Sequence, residues 1–210
     1  MQLEWLFGRK QPAEARDDWL LVGSRQVRLR FAQRNAAWLE RELLRQALRP
    51  TRPKTWQAGT EIFFRGERVQ LQLEANGGST LVRFGNVAMP VKDVDGDLRP
   101  SVERYLRQLA TRELPTRVTE LAALHNLPVQ RVTVRNQRSR WGSCSRRGTV
   151  SLNWRLVQAP ALVRDYLILH ELAHLREMNH SRRFWREVAL LCPDFAEAER
   201  WLKQHSSLLA

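Results

Sequence analysis

The spacing of hydrophobic and polar residues changes near residue 98. It divides the chain into a β-rich first region, 1–98, containing one helix, and a helix-rich second region, 99–210. Trp19 to Val22 and Gln26 to Phe31 read as two short strands around Gly23-Ser24, a hairpin signal. From Ala36 to Ala47, residues Trp38, Leu39, Leu43, Leu44 and Ala47 recur at helical spacing. Asn35 is placed to cap that helix, and Pro50 and Pro53 to close it. A meander of short strands follows: Glu61 to Phe64, Arg68 to Leu73 and Thr80 to Phe84, separated by Gly66 and by Asn76-Gly77-Gly78. Alternation of Val69, Leu71 and Leu73 predicts a sheet with one buried face. Pro90 to Pro100 is a turn-rich joint. Its Asp93, Asp95 and Asp97 lack the closing glutamate of a calcium-binding helical hand, so it reads as a solvated loop.

In the second region, Val102, Tyr105, Leu106 and Leu109, then Val118, Leu121, Ala122 and Leu124, mark a helix that Pro115 either kinks or divides. Val129 to Arg135 and Thr149 to Trp154 alternate as strands. With Gly142 and Gly148 between them, the pair predicts an antiparallel hairpin with a long tip. Pro160 opens a helix running through Val163, Tyr166, Leu167, Leu169 and Leu172 to about Arg176. Ser181 caps another, which stops before Pro193, and Glu197 to Leu209 forms a closing helix. The prediction is an α+β protein whose second region runs αββαα.

The helix after Pro160 carries the chemistry: His170-Glu171-Leu172-Ala173-His174, with His180 after five intervening residues. Two histidines four apart stand one turn apart on the same helix face and can grip one ion. Glu171, beside the first, is placed to take a proton from water. The chain has 5 histidines, and three of them fall in this short window. Leu167, Leu169, Leu172, Ala173 and Leu175 should bury the helix. Burial raises the pKa of a carboxyl group and an adjacent cation lowers it, which can poise Glu171 to accept and return a proton.

His180 is the expected third ligand, because the helix must end before it. Met178-Asn179 would turn the chain back, with Asn179 in a left-handed conformation. Glu177 and Glu187 are carboxylate alternatives. Three protein ligands leave a fourth position open for water, as a catalytic zinc site requires. The pattern therefore predicts one Zn2+ and a hydrolase, foremost a metalloendopeptidase. There, zinc polarises the scissile carbonyl, and Glu171 takes a proton from the attacking water and hands it to the departing amine. Tyr166, Asn179, Arg182 and Arg140 are candidate donors to the carbonyl oxygen. Asp165 and Glu187 are candidate acceptors for the histidine rings. Arg138, Arg140 and Trp141 are placed to shape a substrate cleft, in which an extended peptide could pair with a sheet edge. Cys144 is either a thiolate near the metal or a core residue.

The stretch Arg138 to Leu202 resembles the YgjP-like metallopeptidases, a family related to the SprT-like proteases. The matching pieces are Ser139-Arg140-Trp141-Gly142-Ser143-Cys144, Leu152-Asn153-Trp154-Arg155-Leu156 and Asp165-Tyr166, leading into His170-Glu171-Leu172-Ala173-His174. Asn179-His180-Ser181, Phe184-Trp185, Pro193 and Trp201-Leu202 complete the series. The resemblance implies a zincin-like fold, with a short sheet over the active-site helix. It further implies zinc held by His170, His174 and His180, with Glu171 as base. The amino-terminal strands would be the family's β-rich extension, from which the Asn35 to Arg49 helix and the Thr51 to Gln57 linker depart.

Composition changes this picture in two ways. No stretch approaches the roughly 18 apolar residues of a membrane span, the start MQLEWLFGRK lacks the apolar core of a secretory signal, and Cys144 and Cys192 form no disulfide framework. A cytoplasmic protein that does not enter the membrane is therefore expected. The formal net charge is +13, carried almost entirely by arginine. Seven arginines and no acid lie between Arg131 and Arg155. That segment is either a solvated basic face or a contact for nucleic acid or another polyanion. Two further functions fit the same residues: zinc-dependent hydrolysis of nucleotides or other phosphorylated substrates, with arginines holding the phosphates, and a metal-stabilised binding or scaffold protein. A scaffold has no use for Glu171.

Overall fold

The computed structural model describes residues 19–22, 25–28, 35–47, 55–92 and 96–209. The turn at Gly23-Ser24, the strand residues beyond Arg28, Pro50, Pro53, Asp93 and Asp95 lie outside them. The chain separates into two compact units, Arg9–Thr51 and a larger one formed by Met1–Gly8 with Arg52–Ala210. The smaller holds strands β1 (Trp19–Val22) and β2 (Arg25–Arg28), paired antiparallel with Trp19 opposite Arg28, and helix α1 (Ala36–Ala47). These are the predicted hairpin and helix.

The larger unit begins with β3 (Glu61–Phe64) and β4 (Glu67–Gln70), an antiparallel pair, followed by β5 (Gln72–Asn76), β6 (Ser79–Phe84) and β7 (Val87–Val91) in a three-stranded meander. The single strand expected over 68–73 is broken at Leu71. That residue is fully buried and spends its backbone on Gly59 and Thr60 rather than on a ladder. β7 was not legible, because Pro90 at its end masked a strand whose edge position tolerates proline.

Helix α2 (Arg99–Leu124) is continuous, so Pro115 neither divides the helix nor ends it. Asp97 accepts hydrogen bonds from the amides of Trp56 and Arg99, which ties the joint to the helix start. The change of pattern at residue 98 is a change of element type, and the core runs across it. Phe84 meets Tyr105 edge-on, Gln158 Nε2 donates to the carbonyl of Phe63, and Phe63 packs against Trp201. Gly66 fits there because it is glycine: its φ is +90°, and a Cβ would lie 2.5 Å from Pro160 Cγ.

The segment expected to form an antiparallel hairpin has another topology. β8 (Arg131–Arg135) pairs parallel with β10 (Thr149–Asn153), and a short strand β9 (Gly142–Cys144) pairs antiparallel on the other side, giving the order β8-β10-β9. The tight turn belongs to β9 and β10, where the Gly148 amide bonds the carbonyl of Ser145. Residues 136–141 carry the chain over to the far edge, as a parallel pair demands. Asn153 pins this crossover: its Nδ2 donates to the carbonyls of Gln137 and Arg140.

After β10 a single 3-10 turn, Trp154–Gln158, leads into α3 (Ala161–Ala173), α4 (Arg182–Leu191) and α5 (Phe195–His205). Val150 and Leu152 from the sheet and Leu167, Ile168 and Leu172 from α3 are essentially inaccessible and belong to one core. The sheet thus lies against α3, the helix that bears the predicted metal ligands. Among the described residues no helix is long and apolar enough to cross a membrane.

Candidate metal centre and active site

α3 is buried along most of its length, and His170, Glu171 and His174 go under with it at 0%, 2% and 8% exposure. Burying three ionisable groups costs several kcal/mol unless they are partnered or neutral. The imidazoles meet this by staying neutral. Burial, then the neighbouring His174 and His180, hold His170 well below its ordinary pKa, and burial pushes His174 down to about 4. Neutral rings keep the lone pairs that a metal needs.

α3 ends at Ala173, and His174 is its C-cap, still in helical conformation. Amides of Leu175, Arg176 and Glu177 then close onto the carbonyls of Leu172 and Ala173. The chain turns back to His180 without a left-handed residue at Asn179. Among the described residues only Arg65 and Asn126, besides glycines, have positive φ. Ser181 caps α4 as expected, its Oγ accepting from the amides of Arg183 and Phe184 at 3.2 and 3.3 Å. Ser181→Ala is predicted to cost about 1 kcal/mol of stability, read as a lowered urea midpoint. An unchanged midpoint would show that the cap contributes nothing.

These turns bring His170, His174 and His180 together, one potential ligand atom from each lying within 4.8 Å of the others. His170 Nε2 and His180 Nε2 stand 3.2 Å apart. His174 Nδ1 lies 3.1 Å from the carbonyl oxygen of Glu177. A carbonyl only accepts, so Nδ1 carries the proton and Nε2 is left with a lone pair. Phe184 stacks on His174 at 4.5 Å and Trp185 approaches His170 at 5.9 Å, which fixes the ring planes. Three convergent neutral imidazoles, with no carboxylate in the cluster, fit one Zn2+ ion.

The carboxylates considered from spacing lie elsewhere. Glu187 is paired with Arg176 at 2.8 Å. Asp165 takes both Arg117, at 2.8 Å, and Arg164, at 2.9 Å. Neither is an acceptor for a histidine ring among the bonds observed. A backbone carbonyl does that work for His174, and no side-chain pattern could have announced it.

Glu171 lies under the sheet, its side chain against Gly142 of β9. Its Oε1 is buried with no hydrogen-bond partner. Burial pushes its pKa up to about 8, against the pull of Arg140. The space it occupies is provided by Gly142 of β9, where a Cβ would lie 2.6 Å from both Oε1 and Cγ of Glu171. Gly142 has no positive φ, so its role is room rather than backbone freedom. Read from sequence, it was only a loop glycine.

Of the candidate substrate contacts, Tyr166 is fully buried and its hydroxyl donates to Glu199 at 3.1 Å. Trp141 is buried at 8%, its carbonyl accepting from the Asn153 amide. Arg140, Asn179 and Arg182 are exposed, the last two flanking His180 and Ser181. Cys144 is half-buried and outside the metal cluster. Burial, then the charge of Glu171, push its thiol up to about 12.

The profile of the YgjP-like metallopeptidase domain matches residues 23–205. The chain belongs to the YgjP-like metallopeptidase family. Its α+β architecture is accordingly zincin-like, and with its three-histidine cluster this YgjP-like protein is a zinc-dependent hydrolase, an enzyme built for one zinc ion. No protein of curated function matches the chain. Among solved structures, the crystal structure of the metallopeptidase zymogen of Pyrococcus abyssi abylysin is similar to this YgjP-like chain at 22% identity. The likeness covers 46% of this chain and 98% of that one, with a TM-score of 0.39. The family assignment rests on the profile match.

Proposed function

We propose that this YgjP-like protein is a zinc-dependent endopeptidase acting on extended polypeptide, with Glu171 as general base. The observation that carries the reading is the buried Glu171 carboxylate, unpartnered at Oε1 and one residue from a ligand of the three-imidazole cluster. A purely structural zinc site gains nothing from such a group and bears its desolvation cost. Zinc, when held by His170, His174 and His180, supplies Lewis acidity at the scissile carbonyl. Glu171 receives the proton of the attacking water at its free oxygen and passes it to the leaving nitrogen, a step favoured by a pKa lifted toward neutrality. His174 is held in the metal-binding tautomer by the Glu177 carbonyl. β9 is an edge of its sheet and lies directly above Glu171. An extended substrate backbone can add there as a further strand, which recognises shape and register more than side chains. No membrane or obligate partner enters this reading.

The test is hydrolysis of an unstructured protein and of a panel of nucleoside triphosphates, measured together with bound metal. The expected result is one zinc per chain and cleavage of the polypeptide alone. Chelation should abolish cleavage, and stoichiometric zinc should restore it. Turnover of nucleotides alone, or no turnover with zinc bound, would overturn the peptidase reading.

A further inference from the structure

Some arginines on this protein are held in ion pairs, while others, such as Arg104 and Arg112 on α2 and Arg182, Arg183 and Arg186 on α4, are exposed and belong to none of the ion pairs between described residues. The arginines at 65, 68, 83, 99, 107, 117, 164 and 176 all pair with carboxylates. None of these lies within 131–155. Within that segment Arg131, Arg135, Arg138, Arg140, Arg146 and Arg147 are exposed, and the sequence offers no acid beside them.

The fold gathers these six onto one small sheet. Alternation on β8 puts Val132 and Val134 against the core, and therefore Arg131 and Arg135 on the outer face, about 13 Å apart along the strand. The register continues this face across the sheet as Thr149 and Ser143, both half-buried, while Ser151 and Asn153 on the same face are buried and Ser151 accepts from the Thr133 hydroxyl. Arg146 and Arg147 sit in the β9–β10 turn at the Arg131 end, where the Arg131 amide bonds the Gly148 carbonyl. Arg138 and Arg140 lie on the crossover at the Arg135 end. Trp141 and Trp154, the aromatics of the segment, are buried at 8% and 1%, so the face has cations and hydroxyls but no ring on which a base could stack.

We infer that the outer face of β8-β10-β9 docks the phosphate backbone of duplex nucleic acid, without sequence preference. Arginine forks and hydroxyls are the groups that meet phosphate oxygens. A single strand is recognised largely by stacking its bases on exposed aromatics, which this face withholds. An acidic polypeptide would be matched by charge but lacks the condensed counterions whose release drives binding to a duplex. The site lies under the opposite face of the same sheet, so a bound duplex leaves Glu171 and the imidazoles uncovered. The inference is independent of the peptidase reading.

The test is fluorescence anisotropy of a labelled duplex DNA of mixed sequence against the full chain over a salt series. The same series is run with single-stranded DNA and with polyglutamate. The chain should bind the duplex most tightly, with a steep salt dependence. R131Q/R135Q and R146Q/R147Q should each reduce the slope of log K against log salt by roughly two. R104Q/R112Q, on exposed positions of α2, should change it little. Zinc content and circular dichroism report that each variant is folded. Equal slope losses in all three variants would show binding through total charge and overturn the location. Unchanged slopes in both sheet variants, or equal binding of polyglutamate, would overturn the proposal itself.

Discussion

Glu171→Gln is expected to leave one zinc per chain bound and to lower kcat by about a thousandfold, the scale of a lost general base. Glutamine matches the shape of the carboxylate. Gly142 leaves room for either, and the metal ligands His170, His174 and His180 are untouched. The side chain keeps its place but can no longer take a proton. Burial that lifts the Glu171 pKa to about 8 costs the parent stability at any pH above the ordinary glutamate range, and the neutral amide carries no such cost, so stability at neutral pH should hold or rise. Metal analysis, steady-state kinetics on an unstructured protein and thermal unfolding together make the check. Retention of activity within tenfold of the parent would remove Glu171 from the proposed mechanism and leave another group to carry the proton.

Gly142→Ala should be the second most damaging change, although it alters neither a ligand nor the proposed base. A Cβ at this position would sit 2.6 Å from Glu171 Cγ and Oε1 and 2.8 Å from Cδ. Three heavy atoms inside contact distance mean that the carboxylate, β9 or both must move. β9 is held by its register with β10, Gly142 opposite Leu152, so the glutamate is the more yielding partner. Displacement of about 1 Å at a catalytic group can cost on the order of a hundredfold. We expect kcat to fall by that factor with KM little changed and zinc retained, at an overpacking cost of about 1–3 kcal/mol. A variant that is destabilised but has the parental kcat would show that Gly142 serves packing alone.

What could be read in the chain before it folds is uneven, for a physical reason. Local signals survived well. The ends of α1, the cap at Ser181 and the stop before Pro193 depend on residues a few positions apart, and they appear where sequence placed them. The strand pairing of the second region did not. Antiparallel neighbours and parallel neighbours are built from the same alternation of Val132, Val134, Val150 and Leu152. The choice was made by a three-residue strand too short to show a period. The polar partners of the site were hidden in the same way, since Asp165 and Glu187 are ordinary acids until Arg117, Arg164 and Arg176 claim them.

By itself, then, the sequence determined the ligand set. His170 and His174 share a helix face through helical geometry alone, and the helix had to end before His180. A spacing of four residues is a distance in a helix, whatever surrounds it. Only the tertiary structure decided the surroundings: the Glu177 carbonyl that selects the tautomer of His174, the rings of Phe184 and Trp185 that hold the imidazoles, and the bare Gly142 over Glu171. Those contacts join residues from separate elements. Their distances are fixed by how the sheet packs on the helix, a property of the whole core that no local pattern encodes.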